Sequence, residues 1–357
     1  MTKVVVVGAG IAGLAAAWEL TRAGAGGGRE VIVLESERRA GGVIVTAHVD
    51  GFVVEGGPDG FLAGEPDLPE LATELGIEDR VVSQRSRGTT IWTGKELVPI
   101  EEGRAAALLG IEASKSEVAA GFRSFAGGMY EPVGALSERL GGIVRFAQGV
   151  AGLAPEGSGW RIAITGGSAH DADAVVLAAP AYVAGRLLEM VGVMHARTLA
   201  AVVYSPSVTV SLAYRESQLA HRLPEGAGFV VSPDAAGQVR ACTFSSAKFP
   251  GRAPQGSVLL RAFLTPGDGD PAARAHPELG AILGIRGEPL WSRAFQWARG
   301  LPRYRTRHRE HLAETRRRLD RLPPLALAGA GYDGAGVSAC VRSGREAGRL
   351  IAQLTAR

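Results

Sequence analysis

The chain has 357 residues, 46% hydrophobic, with a formal net charge of +3 and 50 glycines. That is more chain than one ordinary domain needs, with ample apolar material for a core. The glycines sit in short loops without a repeat, which excludes collagen-like and low-complexity chains, and the charge comes with no aromatic-basic module of the kind that binds nucleic acid.

The first element is read from KVVVVGAGIAGLAAAWELTRAG: a buried strand at 4–7, a tight turn and a helix. A continuous β-branched run suits a central parallel strand. Gly8-Ala9-Gly10-Ile11-Ala12-Gly13 is a G-x-G-x-x-G. In that pattern Gly8 permits the turn, Gly10 lets backbone approach a pyrophosphate, and Gly13 lets helix pack on strand. The helix N-terminus then offers N–H groups to phosphate. Nothing here has the basic start and cleavage site of a secretory signal, so a soluble protein is expected. Residues 24–28 form a glycine loop that lengthens the connection. EVIVLE is the second strand, and its Glu35 lies 22 residues after Gly13, the spacing of an acid that holds a ribose hydroxyl pair. Together these features predict a bound dinucleotide.

The next segment, ESERRAGGVIVT, carries Ser36, Arg39, the doublet Gly41-Gly42 and Val43. It resembles the glycine-doublet signature of amine-oxidase-like flavoproteins, and favours FAD over NAD. EGGPDGFL follows at 55–62. Its Gly57, Pro58, Asp59 and Gly60 are candidate flavin-side contacts, with an ordinary Pro-Asp-Gly turn as the plain alternative.

Strands are expected at 143–150, 160–164 and 174–177, with turns at 155–159 and 166–167. The last should return to the cofactor sheet, placing Val150 near the adenine end. Further strands at 207–213, 228–231, 239–244 and 258–263 alternate as an antiparallel sheet with one buried face does. No helix-dominated stretch is expected before about residue 278. The uncharged run 198–214 is broken by Ser205-Pro206-Ser207 and reads as strand, not membrane span. Residues 303–321 read as an amphipathic helix, with Tyr304, His308, Leu312, Thr315 and Leu319 on one face and a Glu314–Arg318 pair on the other. Cys242 and Cys340 have no metal-ligand or CxxC spacing and read as free thiols of a reducing cytosol.

Near the end, Gly329-Ala330-Gly331-Tyr332-Asp333-Gly334 is a second G-x-G-x-x-G. A nucleotide-binding half would continue with another strand and a ribose acid about twenty residues on, and here the sequence stops at Arg357. The expectation is therefore one cofactor, touched twice. A strand at 325–328 joins the first sheet, and a helix starting near Val337 points Ala335, Gly336 and Val337 at the flavin end, where its N-terminus stabilises negative charge on reduced flavin.

GAGIAGLAAAWEL, ESERRAGGVI, VEGGPDGFL, GIRGEPLWSRAFQWARGLPRY and LAGAGYDGAGVSACVRSGREAG together resemble the protoporphyrinogen oxidases, FAD enzymes of late haem biosynthesis. The first three segments are shared with other flavin oxidases and desaturases. The last two, with SFAGGMYEPVGALSERLG, are more specific. The resemblance implies an α/β protein: a Rossmann-like FAD-binding domain (parallel sheet plus β-meander) and an interleaved α+β substrate domain on an antiparallel sheet. Residues 1–80, 140–198 and 296–357 would form the first domain, and 81–100 and 199–295 the second. Residues 101–139 would hold a shortened remnant of a helical, membrane-docking domain, with LLGIEASKS as part of it; 265–277 also looks shortened.

The implied reaction oxidises protoporphyrinogen IX to protoporphyrin IX in three two-electron steps, with FAD passing electrons to dioxygen and hydrogen peroxide as by-product. Coproporphyrinogen III is the alternative substrate, and a low-activity FAD- or porphyrin-binding protein the alternative of another class. Arg87, twelve residues before Pro99, matches the family's propionate-binding arginine. Ala227, Gly228, Val230 and Phe263 match pocket-lining positions, and Trp297 would pack near the flavin. Asp59 is not read as catalytic, and neither a triad nor a metal site is needed. Amine oxidases often place a lysine near the flavin, but Lys95, Lys115 and Lys248 lack a matching context. The implied place is the cytoplasm, with a peripheral inner-membrane position left open. The shortening calls membrane association and efficient turnover into question, and the resemblance allows a homodimer.

Overall fold

The computed structural model describes residues 1–23, 28–109 and 114–356. Residues 24–27 of the expected glycine loop and 110–113 of the expected helical-domain remnant lie outside the described residues.

A five-stranded parallel sheet runs in the order Val144–Arg145, Arg29–Leu34, Thr2–Val7, Ala174–Leu177, Leu325–Leu327. The valine run explains its centre. Val4 and Val6 face one core, shared with the helices Ile11–Ala23 and Val337–Leu354. Val5 and Val7 face another, under a three-stranded antiparallel meander and the helix Ala181–Met190. A strand buried on both faces has no use for alternation. The closing helix packs on the first through Gly344, where a Cβ would lie 2.1 Å from the Ala12 carbonyl oxygen.

The expected strand at 143–150 is divided. Val144–Arg145 joins the parallel sheet, and Val150–Glu156 opens the meander. Between them Ala147 has φ 55°, and the N–H groups of Ala147 and Gln148 donate to the carbonyls of Glu37 and Glu35 at 2.9 and 2.8 Å. Those bonds replace a ladder. Pro155 pairs in register with Trp160, so the turn is tighter than the expected 155–159.

The second sheet has seven strands in the order Trp291–Arg303, Val203–Arg215, Ser257–Leu264, Val239–Phe244, Gly228–Val231, Thr89–Trp92, Leu97–Ile100. All pairs are antiparallel except Gly228–Val231 on Thr89–Trp92. The helix Pro271–Leu283 buries one face with Ala275, Leu279 and Leu283. It begins earlier than residue 278, because the Asp270 side chain caps the N–H groups of Ala272 and Ala273. On the other face, Ala105 from the helix Glu102–Leu109 sits among Val230, Ala241, Ile91, Ile100 and Phe263.

The C-terminal amphipathic helix is His308–Leu319, shorter than 303–321. Residues through Arg303 are held in the long strand, and Arg307, with φ 68°, starts the helix afresh. Leu312, Thr315 and Leu319 are buried as expected, and Glu314 pairs with Arg318 at 2.8 Å. The two-domain division stays a proposal; the strand Trp291–Arg303 runs through its boundary at 296.

Candidate flavin site

The glycine turn lies where the first strand ends. Gly13 is pressed so closely on the turn that a Cβ would lie 1.9 Å from the Gly8 carbonyl oxygen. Gly10 is the opposite case: a Cβ there would meet nothing within 4 Å. Open space above backbone at a helix N-terminus is what a pyrophosphate requires. Glu35 is buried at the end of its strand. One carboxylate oxygen accepts from the Ala9 N–H at 2.7 Å, the other from the Glu37 N–H at 2.9 Å and the Ser36 hydroxyl at 3.2 Å. A carboxylate so fixed still has lone pairs for a sugar hydroxyl. Ala9, Ile11 and Ala12 are buried. Val150 lies next to Gly149, whose would-be Cβ is 3.6 Å from the Ser36 Cβ.

The glycine doublet folds over this turn. The Gly41 N–H donates to the Ala9 carbonyl at 2.8 Å, and a Cβ on Gly42 would come within 3.9 Å of the Gly10 Cα. Arg39 donates to the carbonyls of Ala40, Gly42 and Ile44. In this arrangement it braces the doublet. Gly57 packs against Val43, with a would-be Cβ 1.9 Å from the Val43 carbonyl oxygen, and Trp297 donates to the Gly56 carbonyl at 2.7 Å. The segment holding Gly57, Pro58, Asp59 and Gly60 is thus built onto the nucleotide turn through the doublet. Gly336 caps Val337–Leu354, and a Cβ on it would be 3.8 Å from the Glu65 carboxylate. Ala335 is half-buried beside it.

Asp59 does not end in an ordinary turn. It accepts from the Lys248 ammonium at 2.8 Å. Burial alone would push its carboxyl up, but the Lys248 and Arg261 cations outweigh that and hold it below the usual range. Beneath it, Arg252 and Glu55 form a buried pair at 3.3 Å. Burial pushes the Glu55 carboxyl up and the Arg252 guanidinium down, against the pull of each on the other. Arg261 donates to the Gly57 carbonyl at 2.7 Å. Sequence reading missed this group. One signal was present: VLLRAFL sets an arginine inside a strand of apolar residues. The two thiols are buried and free; burial lifts Cys340 to about 12 and Cys242 higher still.

The substrate-side positions gather less completely. Ala227 pairs its N–H with the Gly88 carbonyl at 2.8 Å, beside Arg87. The exposed Arg87 side chain donates to the carbonyls of Ala119 and Ala120 at 3.2 and 3.4 Å, at the end of the helix Lys115–Ala120. Gly228 has φ 153° and would place a Cβ 2.1 Å from the Cys242 carbonyl oxygen, so the sheet itself accounts for this glycine. Val230 is buried under Ala105, with Phe263 at the edge of the same cluster.

The model of the family described as flavin containing amine oxidoreductase matches residues 11–125 and 101–352. The chain belongs to that family. FAD is its cofactor, and the open turn at Gly10, the fixed Glu35 carboxylate and the doublet above them fit it. The chain is 25% identical to coproporphyrinogen III oxidase of Bacillus subtilis, aligned over 96% of both chains, and 27% identical to that of Propionibacterium freudenreichii over 96% of this chain and 89% of the other. The Bacillus alignment runs over 462 positions against 357 residues here, so it opens gaps in this chain. A crystal structure from Exiguobacterium sp. 255-15, provisionally named a protoporphyrinogen oxidase, superposes with TM-score 0.85 over 99% of both chains at 23% identity. Cyclohexylamine oxidase from Brevibacterium oxydans IH-35A superposes at 0.76 with 16% identity. These structures share the fold. Among the described residues, no helix is long and apolar enough to cross a membrane.

Proposed function

We propose that this flavoprotein oxidises a porphyrinogen, with dioxygen as electron acceptor. The observation that carries this is the alignment across 96% of both chains with a coproporphyrinogen III oxidase, gaps included, on a chain whose FAD turn is intact. Of the two substrates expected, coproporphyrinogen III is the one its aligned relatives favour. The flavin supplies two-electron oxidation at carbon; six electrons and six protons leave the macrocycle in three steps, reducing three dioxygen molecules to three of hydrogen peroxide.

The protein's part is to bind and orient. Glu35, the glycine turn and the doublet hold the nucleotide end; the segment 57–60 and the N-terminus at Gly336–Val337 flank the reacting end. Arg87 is the proposed carboxylate ligand. A carboxylate arm would replace the Ala119 and Ala120 carbonyls on its guanidinium, trading weak dipolar acceptors for a charge-assisted bidentate contact.

The test adds each porphyrinogen in air to the purified yellow protein, and follows porphyrin fluorescence and peroxide. Faster oxidation of coproporphyrinogen III than of protoporphyrinogen IX is expected. FAD bound without fluorescence above autoxidation supports instead a binding protein. A protein that cannot be loaded with FAD sinks the whole reading.

A further inference from the structure

Five charged side chains meet beneath the segment 55–60, and their signs do not cancel. Lys248 is matched by Asp59 at 2.8 Å and Arg252 by Glu55 at 3.3 Å. Arg261 is left over. It is 4% exposed, and among the described residues it has no ion-pair partner. Its guanidinium donates to the Gly57 carbonyl, stacks 5.0 Å from the Phe263 ring, and keeps a buried Nε with no acceptor. A second unmet group lies on the same face. Ser211 is opposite Arg261 and Thr209 opposite Phe263 in the antiparallel ladder, so Thr209 and Arg261 share a side of the sheet. Thr209 is 1% exposed, and its hydroxyl has no partner either.

A buried cation with no contact ion pair costs several kcal/mol, which the nearby Asp59 and Glu55 charges offset only in part. Two unmet polar groups on one face, under a segment built onto the nucleotide turn, are the pattern of a site whose partner is a ligand. We propose that Arg261 supplies a fixed positive charge that stabilises the negative charge of the reduced flavin, while Asp59 and Glu55 limit that charge by neutralising Lys248 and Arg252. This rests on the placement of the flavin beside 57–60 given above. In a low-dielectric interior such a charge acts without direct contact and needs no reorganisation as the electrons arrive.

The sign of the charge gives the test: the two-electron midpoint potential of bound FAD, measured by reductive titration against reference dyes. R261M should make reduction at least tenfold less favourable, about 30 mV lower for a two-electron couple. R261K, which keeps the charge, should stay within threefold of wild type. D59N leaves Lys248 unmatched and should shift the equilibrium the other way, at least threefold toward reduced flavin. A merely structural role moves all three variants together, through lost FAD. R261M with full FAD content and an unchanged potential overturns the proposal; if its substrate KM rises instead, the cation serves a substrate carboxylate. If R261M does not fold, an unchanged or lowered potential in D59N overturns it equally. Wild-type protein that never takes up FAD fails the earlier reading and this one with it, whereas full FAD content with an unchanged R261M potential fails this one alone.

Discussion

The two sheets solve opposite problems around Gly56 and Gly57, whose carbonyls accept from Trp297 and Arg261 of the seven-stranded sheet. The parallel sheet presents backbone at its end: Gly10 and Gly42 keep side chains out, and one acid, Glu35, is held by main-chain donors. The seven-stranded sheet meets the same region with charge: Arg261 from the strand Ser257–Leu264, and Lys248 and Arg252 from the connection before it, against Asp59 and Glu55. Small residues make the first surface general, fit for any pyrophosphate. The second is particular, because its paired charges come together from distant segments.

Breaking the charged side should have the largest effect. R252L leaves the Glu55 carboxylate buried without its cation, with only the Thr46 hydroxyl and the Met129 N–H donating to it, and should cost about 3–5 kcal/mol, read by denaturant unfolding; the double variant E55L/R252L should recover much of it. Overpacking the backbone side comes next. G13V drives a side chain into the Gly8 carbonyl and should cost about 1–3 kcal/mol together with FAD content, read from the flavin absorbance per protein. The Asp59–Lys248 pair is sharper in acid. The Asp59 carboxyl lies below its ordinary 3.8 in the folded protein, so its stabilisation is complete above that value and is lost as pH falls through the folded-state pKa. Urea unfolding at pH 7, 5, 4 and 3 should therefore show the wild-type advantage over D59N shrinking only at the acid end. The smallest stability effect is expected for R87A, below about 1 kcal/mol for exposed hydrogen bonds, with FAD retained and porphyrinogen binding weakened. Loss of flavin instead would remove Arg87 from the substrate side.

The nucleotide half was legible because its determinants are local. A valine run, three glycines at fixed spacing and an acid after the second strand lie within the first 35 residues, and each has one steric or electrostatic reason. The second glycine motif was legible too, and its strand, Leu325–Leu327, pairs with Ala174–Leu177. The strand at 143–150 was misread as one piece, because Ala147 bonds to a loop more than a hundred residues earlier. Two of the expected pocket-lining positions also have packing reasons that lie far away in the chain. What buries Val230 is Ala105, and what requires Gly228 is the carbonyl of Cys242 on the next strand.

By itself, then, the sequence determined a Rossmann-like turn, its acid and the flavin class of cofactor, since backbone conformation and i-to-i+3 spacing are written in neighbouring residues. Only the tertiary structure decided which charges meet. Lys248 looked contextless and Asp59 was a candidate flavin-side contact with no ion partner in view until folding set them 2.8 Å apart. Arg261 looked like an arginine in a strand until burial removed its water and left it one partner short. Desolvation and pairing depend on the whole surrounding shell, and no short stretch of chain contains that shell.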